Sequence, residues 1–217
     1  TLRRELKSNI GNGNYWFDYD EKTKTLFVQF LAITKSDEDE SINTFTKLIS
    51  EVVNNNPVEI VIIDNRYGGG GNGFQLKPFT DFVINTPQIN QTGKLFVLTN
   101  NSTRGTVMEL TSILELNSRA IFVGKPTGEG PNSVGDAKSI TLNNSGLQIS
   151  LTHTFWPTSW ASDQRDFIDP NIYVTYNYDD YSDGADPWLD AVMNFRTAPH
   201  KPFINSSTHK SLIGKYT

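Results

Sequence analysis

The stretch EIVIIDNRYGGGGN, residues 59–72, joins a continuous apolar run to four consecutive glycines. An apolar run without alternation is typical of a strand that is covered on both faces, as in a parallel sheet. After the glycines, apolar residues recur at helical spacing, at positions 76, 79, 82 and 83. We therefore predict a strand, a glycine-rich loop and a helix in this order.

The same alternation continues along the chain. Residues 95–98 (LFVL) predict a second buried strand, residues 107–114 carry apolar positions at helical spacing, and residues 119–124 (RAIFVG) predict a third strand. Buried strands that alternate with helices indicate an α/β core with parallel strands.

Other elements flank this core. Residues 15–30 predict a β-hairpin, and Asp37 with Glu40 predicts a capping box for a helix that ends near Pro57. Residues 126–136 read as a loop, and the turn NNSG at 143–146 predicts a second hairpin. Asp186 and Pro187 predict the start of a terminal helix. We expect one domain over residues 1–196 and a polar tail over residues 197–217.

Composition narrows the classes of function. The 217-residue chain has a net charge of −5, which argues against nucleic acid as a partner. No apolar run approaches the ~18 residues of a membrane helix. It has no cysteine, and its three histidines form no zinc motif, so we expect no metal and no cofactor. The absence of cysteine, together with many Asn, Thr and Ser residues, suits an extracytoplasmic (secreted, periplasmic or cell-surface) bacterial protein.

The glycine-rich loop is the first candidate for chemistry. Successive glycines let backbone N–H groups converge on a developing oxyanion, and the following helix adds its positive N-terminal end. A phosphate-binding P-loop is excluded because no Gly-Lys-Ser/Thr follows. A plain turn between strand and helix is the alternative.

Three motifs in order resemble the C-terminal processing (tail-specific) serine proteases. Residues 64–72 (DNRYGGGGN) resemble the family signature D-x-R-x-N-x-G-G. Residues 98–109 (LTNNSTRGTVME) resemble its nucleophile segment, commonly T-x-S-A-x-E, and residues 123–128 (VGKPTG) are similar to V-G-E-P-T-G. Later stretches resemble landmarks of a branch without an inserted PDZ domain: Asp136, 142–147, 169–172 and 180–187.

This resemblance implies a ClpP/crotonase-like α/β core and a serine nucleophile that is assisted by a lysine. It implies an oxyanion hole formed by Gly69 or Gly70 and the amide of Val107, with Arg66 as a structural landmark. It also implies that the partner is a peptide or the C-terminus of an unfolded protein, and it leaves oligomerisation open.

Both chemical positions depart from the family pattern. Counting back three residues from Glu109 places Thr106 where the nucleophilic serine belongs, and the general-base lysine falls at Gly130. A threonine nucleophile needs a base to remove its proton, and a mid-chain threonine lacks the N-terminal amine that usually does so. His153 is a candidate base, although a lone histidine in a strand is more often packed or solvent-facing.

Three further residues are candidates for ligand binding. Asn72 ends the glycine-rich loop, and Asn132 could position a water or a peptide, although loop asparagines usually serve turn geometry. Trp156 belongs to an aromatic cluster with Phe155 and Trp160. We expect this cluster to pack as core or as a lid; lining a groove for an apolar peptide tail is the alternative.

Three hypotheses follow. The favoured one is a protease-family domain with a degenerate catalytic pair, which binds peptides or is weakly active. The second is an active peptidase that uses Thr106 with a non-standard base, and the third is a non-catalytic assembly domain. If only the chemistry is lost, Thr106→Ser together with Gly130→Lys should restore it.

Overall fold

The structure is a computed structural model that describes residues 13–34 and 41–197. Its strands are β1 (Tyr15–Asp20), β2 (Thr25–Phe30), β3 (Ile60–Asp64), β4 (Leu95–Thr99), β5 (Ile121–Gly124), β6 (Asn132–Gly135), β7 (Lys138–Thr141), β8 (Gln148–Leu151), β9 (Thr154–Pro157) and β10 (Ile172–Tyr173). Six of them form one sheet in the order β1-β2-β3-β4-β5-β10, in which only β1 is antiparallel. The predicted parallel core is confirmed, and the first hairpin forms its edge.

The helices are α1 (Ile42–Asn55), α2 (Lys77–Asn85), α3 (Gly105–Asn117), α4 (Tyr178–Ser182) and α5 (Pro187–Thr197). Helices α1, α2 and α3 each connect successive parallel strands. Because such crossovers are right-handed and the strands follow one another in one direction, all three helices cover the same face of the sheet. Helix α5 packs on the other face, so the central strands are buried on both sides, as their continuous apolar sequence predicted.

The topology decides where a site can form. Strands β3, β4 and β5 are parallel, so their carboxyl ends, at Asp64, Thr99 and Gly124, lie side by side along one edge of the sheet, which is the edge formed by strand ends and not by an outer strand. The glycine-rich loop, the start of α3 and the loop after β5 all leave from this edge. Sites in open α/β sheets form at such an edge.

Several sequence expectations need correction. The loop predicted for residues 126–136 contains β6, which pairs antiparallel with β9, and β10 was not predicted at all. The aromatic cluster does not belong to the core, because Phe155 is 58% exposed and Trp160 is 73% exposed. Phe155 lies on β9, which pairs with β6 outside the six-stranded sheet, and Trp160 follows that strand.

The second hairpin, β7–β8, forms around the predicted turn at 143–146. Helix α1 begins at Ile42, where Ser41 accepts a hydrogen bond from the Thr44 amide at 3.1 Å. The predicted capping box of Asp37 and Glu40 lies outside the described residues, as does the tail over residues 198–217. Within the described ranges, no helix is long and apolar enough to cross a membrane.

Candidate functional site

The glycine-rich loop is anchored at its start by a buried charge network. The Arg66 guanidinium donates to both carboxylate oxygens of Asp64 and to both of Asp186, at 2.8–2.9 Å. Burial opposes the charge, but the two carboxylates outweigh it and hold the pKa of Arg66 above its ordinary value. The guanidinium also lies over the Trp188 ring, 5.2 Å from its centroid. Arg66 is therefore structural, as the resemblance implied.

Helix α3 begins against this loop. The Thr103 hydroxyl donates to the Asn65 carbonyl at 2.8 Å, and the Arg104 amide donates to the Gly68 carbonyl at 2.9 Å. Thr106 lies in the first turn of the helix and is buried, with 8% of its surface exposed. Its hydroxyl has no hydrogen-bond partner among the described residues. The predicted placement of Thr106 at the helix start, next to the loop, agrees with this geometry.

Two of the backbone amides that were predicted to form the oxyanion hole are already bonded within the protein. The Gly69 amide donates to the Leu31 carbonyl at 2.7 Å, and the Val107 amide donates to the Gly69 carbonyl at 3.0 Å. An amide already bonded in this way cannot also stabilise an oxyanion without a rearrangement of the loop. Of the three assigned donors, only the Gly70 amide has no acceptor among the described residues.

Two glycines of the loop, Gly68 and Gly71, have no space for a side chain. A methyl group at Gly68 would lie 2.2 Å from Val107 Cγ1. Gly71 has φ of +145°, and a side chain there would meet the Ile33 backbone at 2.4 Å. The glycine run is therefore required by close backbone approach, whether or not the loop binds a ligand.

Gly130, the position of the missing lysine, has no room for a side chain. A Cβ atom there would lie 2.2 Å from the Arg165 carbonyl oxygen. The segment 158–168 holds that carbonyl in place, because Arg165 pairs with Asp163 at 2.7 Å and with Glu115 on α3 at 2.7 Å. Hydrogen bonds from Arg165 lower the pKa of Asp163 to about 2. The place of the lysine is thus occupied by backbone.

The side-chain amide of Asn132 binds the segment 158–168. It donates to the carbonyls of Trp160 and Asp163, at 2.8 and 3.0 Å, and accepts from the Ser159 amide at 3.0 Å. All of its hydrogen-bonding groups are engaged within the protein, so the structure gives Asn132 a scaffold role and not the predicted ligand contact. Asn72 likewise accepts from the Phe74 amide at 3.1 Å and caps the short 3₁₀ helix Gly73–Gln75.

The candidate base His153 is not brought to the helix. Its ring is exposed and shares a hydrogen bond with the neighbouring Thr154 hydroxyl at 3.0 Å. His153 comes just before β9. The contact with α3 is made just after the other end of β9, where the Ser112 hydroxyl donates to the Thr158 carbonyl at 3.3 Å. The described contacts therefore do not support His153 as a base for Thr106.

Two carboxylates that sequence reasoning missed lie at the N-terminal part of α3, the helix that contains Thr106. The Glu129 carboxylate accepts from the Gly105 amide at 2.9 Å, so it occupies the N-terminal end of α3. Glu109 lies three residues after Thr106 on the same side of the helix, and a Cβ at Gly73 would be 2.1 Å from its Oε2. Burial raises the pKa of the Glu109 carboxyl. In the sequence, Glu109 serves only to count back to Thr106. The signal that could have found it is its i,i+3 spacing from Thr106, which puts both residues on one side of the helix.

An aromatic pair completes this region. Phe74 follows the glycine-rich loop and is 84% exposed, and its ring contacts Trp156 on β9 with centroids 6.3 Å apart. The pair bridges the α/β core and the β6–β9 ribbon. Among the described residues, no three His, Asp or Glu side chains gather closely enough to hold a metal ion.

Solved structures share this fold. A Parabacteroides merdae protein assigned as a peptidase is 15% identical, with a TM-score of 0.62 over 90% of this chain and 70% of its own. A Bacteroides fragilis protein assigned as an S41 protease is 14% identical, with a TM-score of 0.54 over 84% and 55% of the two chains. The photosystem II D1 C-terminal processing protease is 12% identical, with a TM-score of 0.50 over 75% and 48%.

The chain thus spans about half of the D1 processing protease. No family model matches the sequence, and a search of curated proteins gives no match. The fold is that of the C-terminal processing (tail-specific) serine proteases, as the resemblance predicted, with a crotonase-like parallel core.

Proposed function

We propose that this protein binds extended peptide segments, such as the C-terminal end of an unfolded polypeptide, and does not cleave them. The observation that carries the proposal is the contact between the exposed Phe74 ring and the half-buried Trp156 ring, beside a glycine-rich loop in which the Gly68 and Gly69 amides are bonded within the protein. Aromatic side chains at a surface are favourable anchors for apolar side chains of a partner.

The β6–β9 ribbon supports an extended ligand. Each of the two strands pairs only with the other within the described residues, so each leaves one edge for a peptide strand. Val134 and Phe155 lie opposite each other on this ribbon and are both more than half exposed. A peptide along this edge would gain backbone hydrogen bonds and apolar contacts together.

The absence of cleavage rests on two positions. Gly130 supplies no base and has no room for one, and general acid-base assistance is typically worth ~10²–10⁴ in rate. Thr106 also carries a methyl group beside the oxygen that would attack.

An active threonine peptidase is the alternative, and one observation favours it. The Glu129 carboxylate accepts from the Gly105 amide at the start of α3, and Glu109 lies one turn after Thr106 in the same helix. A carboxylate can act as a general base when its pKa is raised, which is the direction for Glu109.

Two measurements on the intact chain test these functions. Incubation with a disordered protein should give no cleavage above background, and Thr106→Ala should change nothing. Turnover that disappears in Thr106→Ala would contradict the proposal, and Glu109→Gln, Glu129→Gln and His153→Ala would then identify the base.

Binding is measured by fluorescence anisotropy with a labelled unstructured peptide that ends in apolar residues. Phe74→Ala should weaken binding by about tenfold or more, since a central aromatic anchor is worth at least about 1.4 kcal/mol. Trp160→Ala is the matched control, because Trp160 is also an exposed aromatic residue, and the hydrogen bonds it makes go to its backbone carbonyl. No binding by the parent protein would favour the assembly-domain hypothesis.

An extracytoplasmic location is part of the proposal. It is supported by the composition of the chain, which combines the absence of cysteine with many Asn, Thr and Ser residues. Fractionation of cells that produce the full-length protein tests it, and recovery with cytoplasmic markers would contradict it.

A further inference from the structure

The β7–β8 hairpin projects away from the core. Every residue from 136 to 153 is exposed, in contrast to the buried strands of the central sheet. Lys138 pairs with Leu151 and Ile140 pairs with Ile149, so the two faces of the ribbon can be assigned directly.

The two faces differ in chemistry. One face carries five aliphatic side chains, which are 39–62% exposed: Ile140, Leu142, Leu147, Ile149 and Leu151. Lys138 lies at one end of the same face, opposite Leu151. The other face carries Ser139, Thr141, Gln148 and Ser150, and the Ser139 and Ser150 hydroxyls lie 3.3 Å apart. This amphipathic pattern is that of a strand pair whose apolar face is meant to be covered.

An uncovered ribbon of this kind is energetically unfavourable. A two-stranded hairpin alone is only marginally stable in water, and a contiguous apolar patch of a few hundred Å² usually marks an interaction surface. Within the described residues, β7 and β8 pair only with each other.

We propose that two copies of this chain associate by packing the apolar faces of their β7–β8 hairpins against each other. The charge distribution favours a second copy as the occupant. The chain has a net charge of −5, yet residues 137–152 contain no Asp or Glu and one cation, Lys138, so this is a surface on which two negatively charged molecules can approach. The face is also self-complementary, because the Ile140–Ile149 pair lies at its centre on either copy.

The size of the patch sets the expected strength. Burying five such side chains on each of two copies removes a total area on the order of 1,000 Å², the lower limit for specific association. We therefore expect a weak dimer, with Kd of about 1–100 μM.

Sedimentation velocity from about 1 μM to about 1 mM tests the proposal. The full chain should shift from monomer to dimer over this range. Ile149→Lys should abolish the shift, because it places a charge in the centre of the apolar face. Ser150→Lys, one residue away on the polar face, should retain the dimer.

A charge-complementation experiment guards against a variant that merely misfolds. Ile149→Lys and Ile149→Glu should each be monomeric alone and should form a dimer when mixed, since the central residues of the two copies face each other. A parent that stays monomeric throughout overturns the proposal. A dimer that survives Ile149→Lys, a dimer lost equally in Ser150→Lys, or a mixture that stays monomeric also overturns it.

Discussion

At the scale of single residues, Gly130 decides how far the family chemistry can be restored. The sequence places it where the lysine base belongs and suggests that a lysine could be returned to that position. The backbone contradicts this, because the Arg165 carbonyl lies 2.2 Å from the point where a Cβ would be. The path of the segment 158–168 therefore leaves no room for a lysine side chain at this position.

A methyl group at this position should already be costly. We expect Gly130→Ala to lower the free energy of unfolding by roughly 1–3 kcal/mol, since the clash is with backbone and not with a flexible side chain. Gly70→Ala is the control, because nothing lies within 4 Å of its Cβ position, and it should change stability by no more than about 0.5 kcal/mol. Urea denaturation measures both.

The double variant Thr106→Ser with Gly130→Lys should consequently remain inactive or unfold. Peptidase activity in this variant would show that the segment 158–168 can move aside. Equal stability of Gly130→Ala and Gly70→Ala would show the same.

At the scale of elements, the start of α5 is connected to the glycine-rich loop through one carboxylate. Asp186 accepts from the amides of Trp188 and Leu189, at 3.2 and 3.3 Å, and from the Arg66 guanidinium. It is thus the N-cap of α5 and the second partner of a buried arginine. This connection joins the helix on one face of the sheet to the loop at its carboxyl edge.

Removing this carboxylate should affect both elements. We expect Asp186→Ala to cost about 2–4 kcal/mol, since a helix cap and half of a largely buried ion-pair network are lost together. Asp179→Ala, an exposed acidic residue on α4, should cost less than about 0.5 kcal/mol. Thermal or urea unfolding measures the difference, and equal costs would mean that α5 is held by its apolar contacts alone.

At the scale of the whole molecule, the described residues fall into a packed α/β core and a projecting ribbon. The apolar clusters on the two faces of the sheet contain no residue of the β7–β8 hairpin. We therefore expect the hairpin to contribute little to the stability of the core.

Excision of the hairpin tests this division. The His153 amide donates to the Gly135 carbonyl at 3.1 Å, so the two ends are close enough for a two-residue turn to replace residues 137–152. We expect the shortened protein to be monomeric at every concentration. Its thermal midpoint should match that of the dilute parent within about 2 °C. A lower midpoint or a broadened transition would show that the core depends on the hairpin.

The sequence alone determined the parallel core and the edge at which a site could form. Continuous apolar runs such as residues 60–64 require cover on both faces, and the alternation with helical spacing leaves few other topologies. The resemblance of the motifs to the protease family also placed Thr106 at a helix start. In that family the nucleophile segment and the glycine-rich loop come together.

The availability of the site groups was decided by the tertiary structure. The Gly69 amide is bonded to Leu31, which is distant in the chain. The segment 158–168 removes the room at Gly130, and Gly73 packs against the half-buried Glu109. The exposure of Phe155 and of the apolar hairpin face was likewise beyond the sequence. A pattern of side chains reports which face is apolar, but only the packed chain decides whether anything covers it.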